Sequence, residues 1–333
     1  MTWPPRPAIM RAGRETGASR IINTAPDCAA WRSGALNGKV VAVANMKGGV
    51  GKTATVVGIA EALAAKGKSV LVLDLDAQAN ASICIAGDAA LAELMRKRCT
   101  IDGFISEFIR NGWSTNFDGF IRSDVSNVSH RDKPLKLSLL ASSPALRDLE
   151  RDLIYALTKK QKTLGDIVEA LWDLMQEQFR RSKREFDVVV IDCAPGISLL
   201  TEVSVRLADL VIIPTIPDFL STFGVDAFCA SMWDRKLAGG ETPSPRGLPY
   251  VLATRCRPIN VHKDTIAALR LEASATKPAF KMFKTVVPEA AAVAAALGNL
   301  DAQAPFQAKW TSRIAEVLNE IAGEIEGIFD ARA

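Results

Sequence analysis

Residues 47–53 read Lys-Gly-Gly-Val-Gly-Lys-Thr, set between a short β-branched run and a stretch of helical periodicity. The run before it, Lys39–Asn45 (KVVAVAN), is continuously apolar rather than alternating, as expected of a parallel strand covered on both faces. Downstream, Thr53–Ala65 carries apolar residues at helical spacing and stops at Lys66–Gly67, where glycine can supply a left-handed cap. Ser69–Leu75 (SVLVLDL) reads as a second buried strand. The unit is therefore strand–helix–strand, a crossover that is right-handed and parallel in nearly all proteins. A glycine-rich turn that ends one strand and opens a helix aims backbone N–H groups and the helix dipole at one point. That is the construction of a phosphate-binding loop.

The residue types inside the turn fit that chemistry. Gly48, Gly49 and Gly51 allow close approach of the backbone without a Cβ clash, and Val50 and Ala54 complete the cradle. Lys52 places a cation at the β- and γ-phosphates of a nucleotide, and Thr53 a hydroxyl at Mg²⁺. The strict G-x-x-x-x-G-K-[ST] pattern fails, because Met46 stands where its first glycine belongs; the loop instead holds an extra lysine, Lys47. Two further loops bear carboxylates. Asp74 and Asp76 lie at the carboxyl end of the second strand, the edge where open α/β sheets place ligands. Asp192 ends the apolar run Val188–Ile191, as a Walker B aspartate does when it holds Mg²⁺ through water.

The strand–helix alternation continues. Leu135–Leu140, Val188–Asp192, Leu210–Pro214 and Tyr250–Thr254 read as strands, and Pro144–Tyr155 and Thr163–Phe179 as helices. The expected fold is an α/β domain with an open, mostly parallel, doubly wound sheet and helices on both faces. Residues 38–333 form that single domain, preceded by a flexible basic arm over 1–37. Residues 84–134, rich in Asn, Ser, Asp and Gly, read as an insertion of helices and loops, and 236–249 as a surface loop. Over 311–329, Ile314, Val317, Leu318, Ile321, Ile325 and Ile328 share one helical face opposite an acidic one, which predicts a docking helix rather than a membrane anchor.

Composition excludes several classes. Apolar residues make up 48% of the 333, ample for a large core, yet no uninterrupted apolar stretch approaches the roughly 20 residues of a spanning helix. Six cysteines without a C-x-x-C pair and only two histidines support neither a zinc finger nor a disulfide framework, so a cytoplasmic protein with reduced thiols is expected. The net charge of +4 is unevenly spread. Residues 1–36 hold five arginines against Glu15 and Asp27. Between 255 and 284, Arg255, Arg257, Lys263, Arg270, Lys277, Lys281 and Lys284 face only Asp264 and Glu272, a candidate contact for a polyanion such as DNA.

The loop KGGVGKT, DLDAQANAS at 74–82, FDVVVIDCAPG at 186–196 and DLVIIPTIPDFLSTFGV at 209–225 together resemble the ParA/MinD family of deviant Walker A ATPases. PLKLSLLASSPALRDLERDL at 134–153 is most similar to the ParA (Soj-like) branch. The resemblance implies an ATP·Mg²⁺-dependent sandwich homodimer in which Lys47 reaches the partner's phosphates and Asp76 positions the attacking water. It implies slow hydrolysis stimulated by a ParB-like or other activating partner, and partitioning or positioning of DNA or another cargo through non-specific DNA binding. Such a protein would be cytoplasmic and nucleoid-associated. One departure stands out. From Val287 the chain reads VPEAAAVAAALGN, where the family commonly carries DNA-binding arginines, so that role shifts onto the 255–284 basic stretch. The alternative is a MinD-like positioning ATPase that acts on a membrane or protein partner without DNA.

Overall fold

The computed structural model describes residues 38–158, 163–234, 244–298 and 304–332; the expected arm and most of the 236–249 loop lie outside them. The described residues open with β1 (Lys39–Val43), α1 (Lys52–Ala65) and β2 (Val70–Leu75). Three helices follow, α2 (Asn80–Ala86), α3 (Asp88–Arg96) and α4 (Ile101–Asn111), then β3 (Val128–His130), β4 (Lys133–Pro134) and β5 (Leu137–Leu140). Next come α5 (Ala145–Thr158), α6 (Leu164–Arg181), β6 (Val188–Cys193), α7 (Leu199–Leu207), β7 (Leu210–Thr215) and α8 (Phe219–Cys229). The last part holds β8 (Tyr250–Ala253), α9 (Asn260–Ala273), β9 (Lys281–Met282), α10 (Ala291–Gly298), β10 (Ala304–Pro305) and α11 (Phe306–Asp330).

Seven strands form the central sheet in the order β5-β2-β6-β1-β7-β8-β9, with every neighbouring pair parallel. Both faces are covered, which explains the unbroken apolar runs. In β1, Val40 and Ala42 join the core under α4, α6, α7 and α8, while Val41 and Val43 join the core under α1, α2 and α11. Register places the ends of β1, β2 and β6 side by side, Asp74 opposite Asp192.

The stretch 84–134 contributes to the main core through its aromatic residues. Phe104 meets Phe117 and Phe120 at ring-centroid distances of 5.1 and 5.6 Å, and Phe117 meets Phe179 of α6. A small second sheet, β10-β3-β4, closes this region.

The C-terminal helix begins earlier than its sequence pattern predicts, because Phe306 and Trp310 are also buried; Thr311 (φ 59°) interrupts it after its first turn and a half. It crosses α1 closely at Gly58, where an added Cβ would lie 2.6 Å from a methyl group of Leu318. One turn away, the fully buried Glu61 carboxylate accepts hydrogen bonds from Lys309 Nζ and Trp310 Nε1, both at 2.6 Å. Burial pushes the Glu61 carboxyl up and the Lys309 ammonium pulls it back. Removing either Lys309 or Glu61 would leave a buried charge uncompensated, so the pair anchors the start of α11, before Thr311, against α1.

Candidate functional site

The loop between β1 and α1 is held from three sides. Buried Asn45 donates through Nδ2 to Pro214 O at 2.7 Å on β7, and its Oδ1 accepts the Lys47 amide at 2.9 Å. Thr254 Oγ1, just past β8, donates to Val50 O at 2.7 Å, and Arg255 Nη1 to Gly49 O at 3.2 Å. Gly49 and Gly51 have φ of 74° and 89°, left-handed values that require glycine here. The result is a loop whose shape is set before any ligand arrives. Lys52, at the first turn of α1, is mostly buried and donates through Nζ to Lys47 O at 2.8 Å. Burial lowers its pKa, and the nearby Asp192 opposes that shift.

Thr53 Oγ1 donates to Asp192 Oδ2 at 2.9 Å. Asp192 is 1% exposed, and its other oxygen, Oδ1, has no hydrogen-bond partner among the described residues. Burial, followed by the charge of Asp74, pushes its carboxyl well above the usual range. An orphaned buried carboxylate oxygen beside a threonine hydroxyl is a donor set that suits a hard divalent cation such as Mg²⁺.

Asp74 and Asp76, both at the carboxyl end of the second strand, differ in their surroundings. Asp74 is fully buried and accepts from Ser82 N (2.8 Å), Ser82 Oγ (2.7 Å) and Asp76 N (3.1 Å). Burial raises its pKa to about 6 against those hydrogen bonds. Its role is to pin the turn. Asp76 stands half-buried at the open edge, with one oxygen accepting the Gln78 amide at 2.9 Å.

Lys47 turns away from Lys52. Its ammonium donates to Ser221 Oγ at 2.8 Å and lies 3.9 Å from Asp218, the residue that caps α8. Around it, Phe219, Leu220 and Phe223 are 79%, 72% and 69% exposed, an apolar patch at the rim of the phosphate loop. Beside the loop, an apolar cavity of about 390 Å³ is bounded by Ala54, Leu252, Pro288, Ala294, Trp310 and Leu318.

The seven basic residues of 255–284 are not gathered on one face. Arg255 and Arg257, at the phosphate-loop end of β8, both pair with Glu289, so the residue that replaces an expected arginine also neutralises two others. Arg270 donates to Lys284 O, Lys263 and Lys277 are exposed, and Lys281 sits at the far end of β8 over the Tyr250 ring. Asn45, Thr254, Asp218 and Ser221 escaped the sequence reading; only the conspicuous PDFLST segment around the last two hinted at them.

A parallel sheet carrying a glycine-rich loop, a helix-opening lysine and a buried strand-end aspartate on its carboxyl edge defines a P-loop NTPase domain. The AAA domain family model (AAA_31) matches residues 38–235, and the chain belongs to that family, on the ParA/MinD side and nearest its partitioning branch. The Bacillus subtilis sporulation initiation inhibitor protein Soj is 27% identical over 188 residues, 56% of this chain and 62% of Soj. The chain thus spans about three-fifths of the length of the curated relatives it matches. Among solved structures, pNOB8 ParA bound to nonspecific DNA superposes with a TM-score of 0.62 at 18% identity, covering 89% of this chain and all of that one. Cobyrinic acid a,c-diamide synthase from Mycobacterium smegmatis, with ADP and magnesium, gives 0.61 at 21% identity over 89% and 97%. These likenesses show a shared fold, and the second shows that the fold also serves other chemistry. Among the described residues, no helix is long and apolar enough to cross a membrane.

Proposed function

We propose that the chain is a ParA-like ATPase that binds ATP·Mg²⁺, pairs face to face with a second copy, and hydrolyses ATP slowly to partition or position DNA or another cargo. The observation that carries this reading is the placement of Lys47. Its ammonium is directed out of its own phosphate loop and parked on Ser221 amid three exposed apolar side chains. A lysine so placed is available to phosphates held by a facing protomer, and Phe219, Leu220 and Phe223 supply apolar surface for that contact.

Within one protomer the proposed division of labour is as follows. Backbone N–H groups of residues 48–53 and Lys52 hold the β- and γ-phosphates. The Thr53 hydroxyl and Asp192 would hold Mg²⁺, which would neutralise phosphate charge when bound. Asp76, half-buried at the same edge, orients the attacking water, and Asp74 keeps the Asp76 turn in place. The apolar cavity beside Ala54 receives the base. A ParB-like or other partner accelerates turnover, and duplex DNA serves as the matrix. The membrane-acting alternative lacks a basic amphipathic face, since the solvent side of α11 carries Glu316, Glu320 and Glu324.

Phosphate release measured on the purified chain tests the reaction. The expected result is slow turnover, below roughly 1 s⁻¹ and thus under the usual enzyme range, abolished by EDTA and restored by Mg²⁺. Phosphate release that is equally fast in EDTA, or none at all with Mg²⁺, would refute the ATPase assignment.

A further inference from the structure

At the sheet edge opposite the phosphate loop, four cations converge. Lys39 opens β1, Lys281 lies on β9, Arg246 precedes β8 and Arg332 follows α11; with Asp209 at the start of β7 they line a concavity of about 550 Å³. Residues nearly 300 positions apart in sequence are brought together by the order of the strands.

The cluster is built rather than incidental. Asp209 is the single carboxylate lining it, and each of its oxygens is already committed. Oδ2 accepts the Val40 amide at 2.9 Å, Oδ1 accepts Arg246 Nη1 at 2.6 Å, and its carbonyl accepts Arg332 Nη1. Next to Arg246, Gly247 O accepts a hydrogen bond from Trp233 Nε1 at 2.8 Å. Tyr250 presents its ring to Lys281 Nζ at 5.7 Å and to the Arg332 guanidinium at 5.9 Å. Two guanidinium groups are therefore held in position by one aspartate and one aromatic ring, which lowers the ordering cost of engaging an anion. Among the described residues no carboxylate forms an ion pair with Lys39, Lys281 or Arg332, so positive charge exceeds negative here.

We propose that this concavity is a docking surface for the phosphodiester backbone of duplex DNA. Charge complementarity selects a polyanion, and the lining offers cations without a free amide or carboxylate to read base edges, so it holds the backbone in any sequence. Continuity along the chain favours an extended partner over a small anion. Residues 1–37 join the fold at Gly38, beside Lys39, and include five arginines. The surface is distinct from the 255–257 region, where Glu289 cancels the arginines. In a dimer joined through its phosphate loops, the two surfaces face away from each other at the outer ends. The assignment rests on the DNA-binding part of the proposed function and not on its nucleotide chemistry.

The test is fluorescence anisotropy of a labelled duplex of arbitrary sequence with the full chain, ATP and Mg²⁺, over a salt series. Lys39→Gln with Lys281→Gln removes two cations that hold no ion pair, and Lys263→Gln with Lys277→Gln removes two exposed cations elsewhere as the control. The first pair is expected to weaken binding at least tenfold at low salt. It should also flatten the slope of log K against log salt by about 1.8, from roughly 0.9 per lost phosphate contact, with ATP turnover unchanged. The control pair should leave the slope at the parent value. If the first pair keeps the parent's affinity and slope, or the control lowers both equally, this surface is wrong while DNA binding stands. If the parent hydrolyses ATP but binds no duplex even at low salt, the DNA-binding reading fails together with the surface.

Discussion

Lys52→Ala is expected to lose ATP binding almost entirely. Lys52 is the cation at the opening of α1, mostly buried, with the charges of Asp192 and Asp76 nearby. Its Nζ also holds the Lys47 carbonyl at 2.8 Å, so the substitution removes a phosphate ligand and loosens the loop at once. Truncating one member of a desolvated charge pair costs about 2–5 kcal/mol, which corresponds to a Kd raised from roughly thirtyfold to several-thousandfold. Calorimetric titration with ATP and Mg²⁺ measures it directly. The fold should survive, because the strand-end contacts of Asn45 and Thr254 remain. Binding within threefold of the parent would place the nucleotide elsewhere.

Asp76→Ala is expected to separate binding from chemistry. The Asp76 carboxylate accepts one local hydrogen bond, from the Gln78 amide, and has none to the phosphate loop among the described residues. A carboxylate that orients water acts in the transition state and contributes little to ground-state affinity. The expected outcome is a loss of about 10²-fold or more in kcat with ATP affinity within a few-fold. Asp74 makes the contrast informative. It is buried and triply hydrogen-bonded, so Asp74→Ala should lower stability along with turnover, whereas Asp76→Ala should leave the unfolding midpoint near the parent's. Unchanged kcat in Asp76→Ala would assign the water to another group.

Much of the architecture was legible because of how it is buried. β1, β2, β6 and β7 are sealed on both faces, and their residues are accordingly continuous runs of Val, Ile and Leu with glycine or charge at the ends. Shorter elements had no such pattern. β9 and β10 are two residues each and exist through pairing with Tyr250–Val251 and Val128–Ser129, not through local preference. α10 reads AAVAAALG, apolar at every position, and carries no period from which a helix could be told from a strand. Within 84–134, Phe104 lies on α4 and Phe117 and Phe120 lie beyond it, so the three become a cluster only when the chain folds back.

The site divides along the same line. Lys52, Thr53 and Asp192 sit on a strand-to-helix turn and a strand end, so local pattern finds them. The groups that hold the loop do not. Asn45 reaches Pro214 across 169 residues, Lys47 reaches Ser221 across 174, and Thr254 reaches Val50 across 204. Asp74 and Asp76 share one motif; the family resemblance singles out Asp76, and the structure adds that Asp74 is fully buried under Ser82 while Asp76 is not. The basic stretch misled in a physical way: a charge count along the chain registers neither Glu289, which pairs with Arg255 and Arg257, nor the strand order that carries Lys281 to the opposite edge.

The central claim is that Lys47 serves a second copy of the chain rather than its own nucleotide. Its ammonium rests 2.8 Å from Ser221 Oγ and is 40% exposed, directed away from Lys52 and open to the phosphates of a facing protomer. Lys47→Ala should therefore bind ATP within a few-fold of the parent. Light scattering coupled to size exclusion, run in ATP and Mg²⁺, decides the matter. The parent is expected to elute with twice the mass of the chain, and Lys47→Ala with the mass of one. A Lys47→Ala protein that dimerises with ATP as the parent does would contradict the account and leave an ordinary P-loop ATPase.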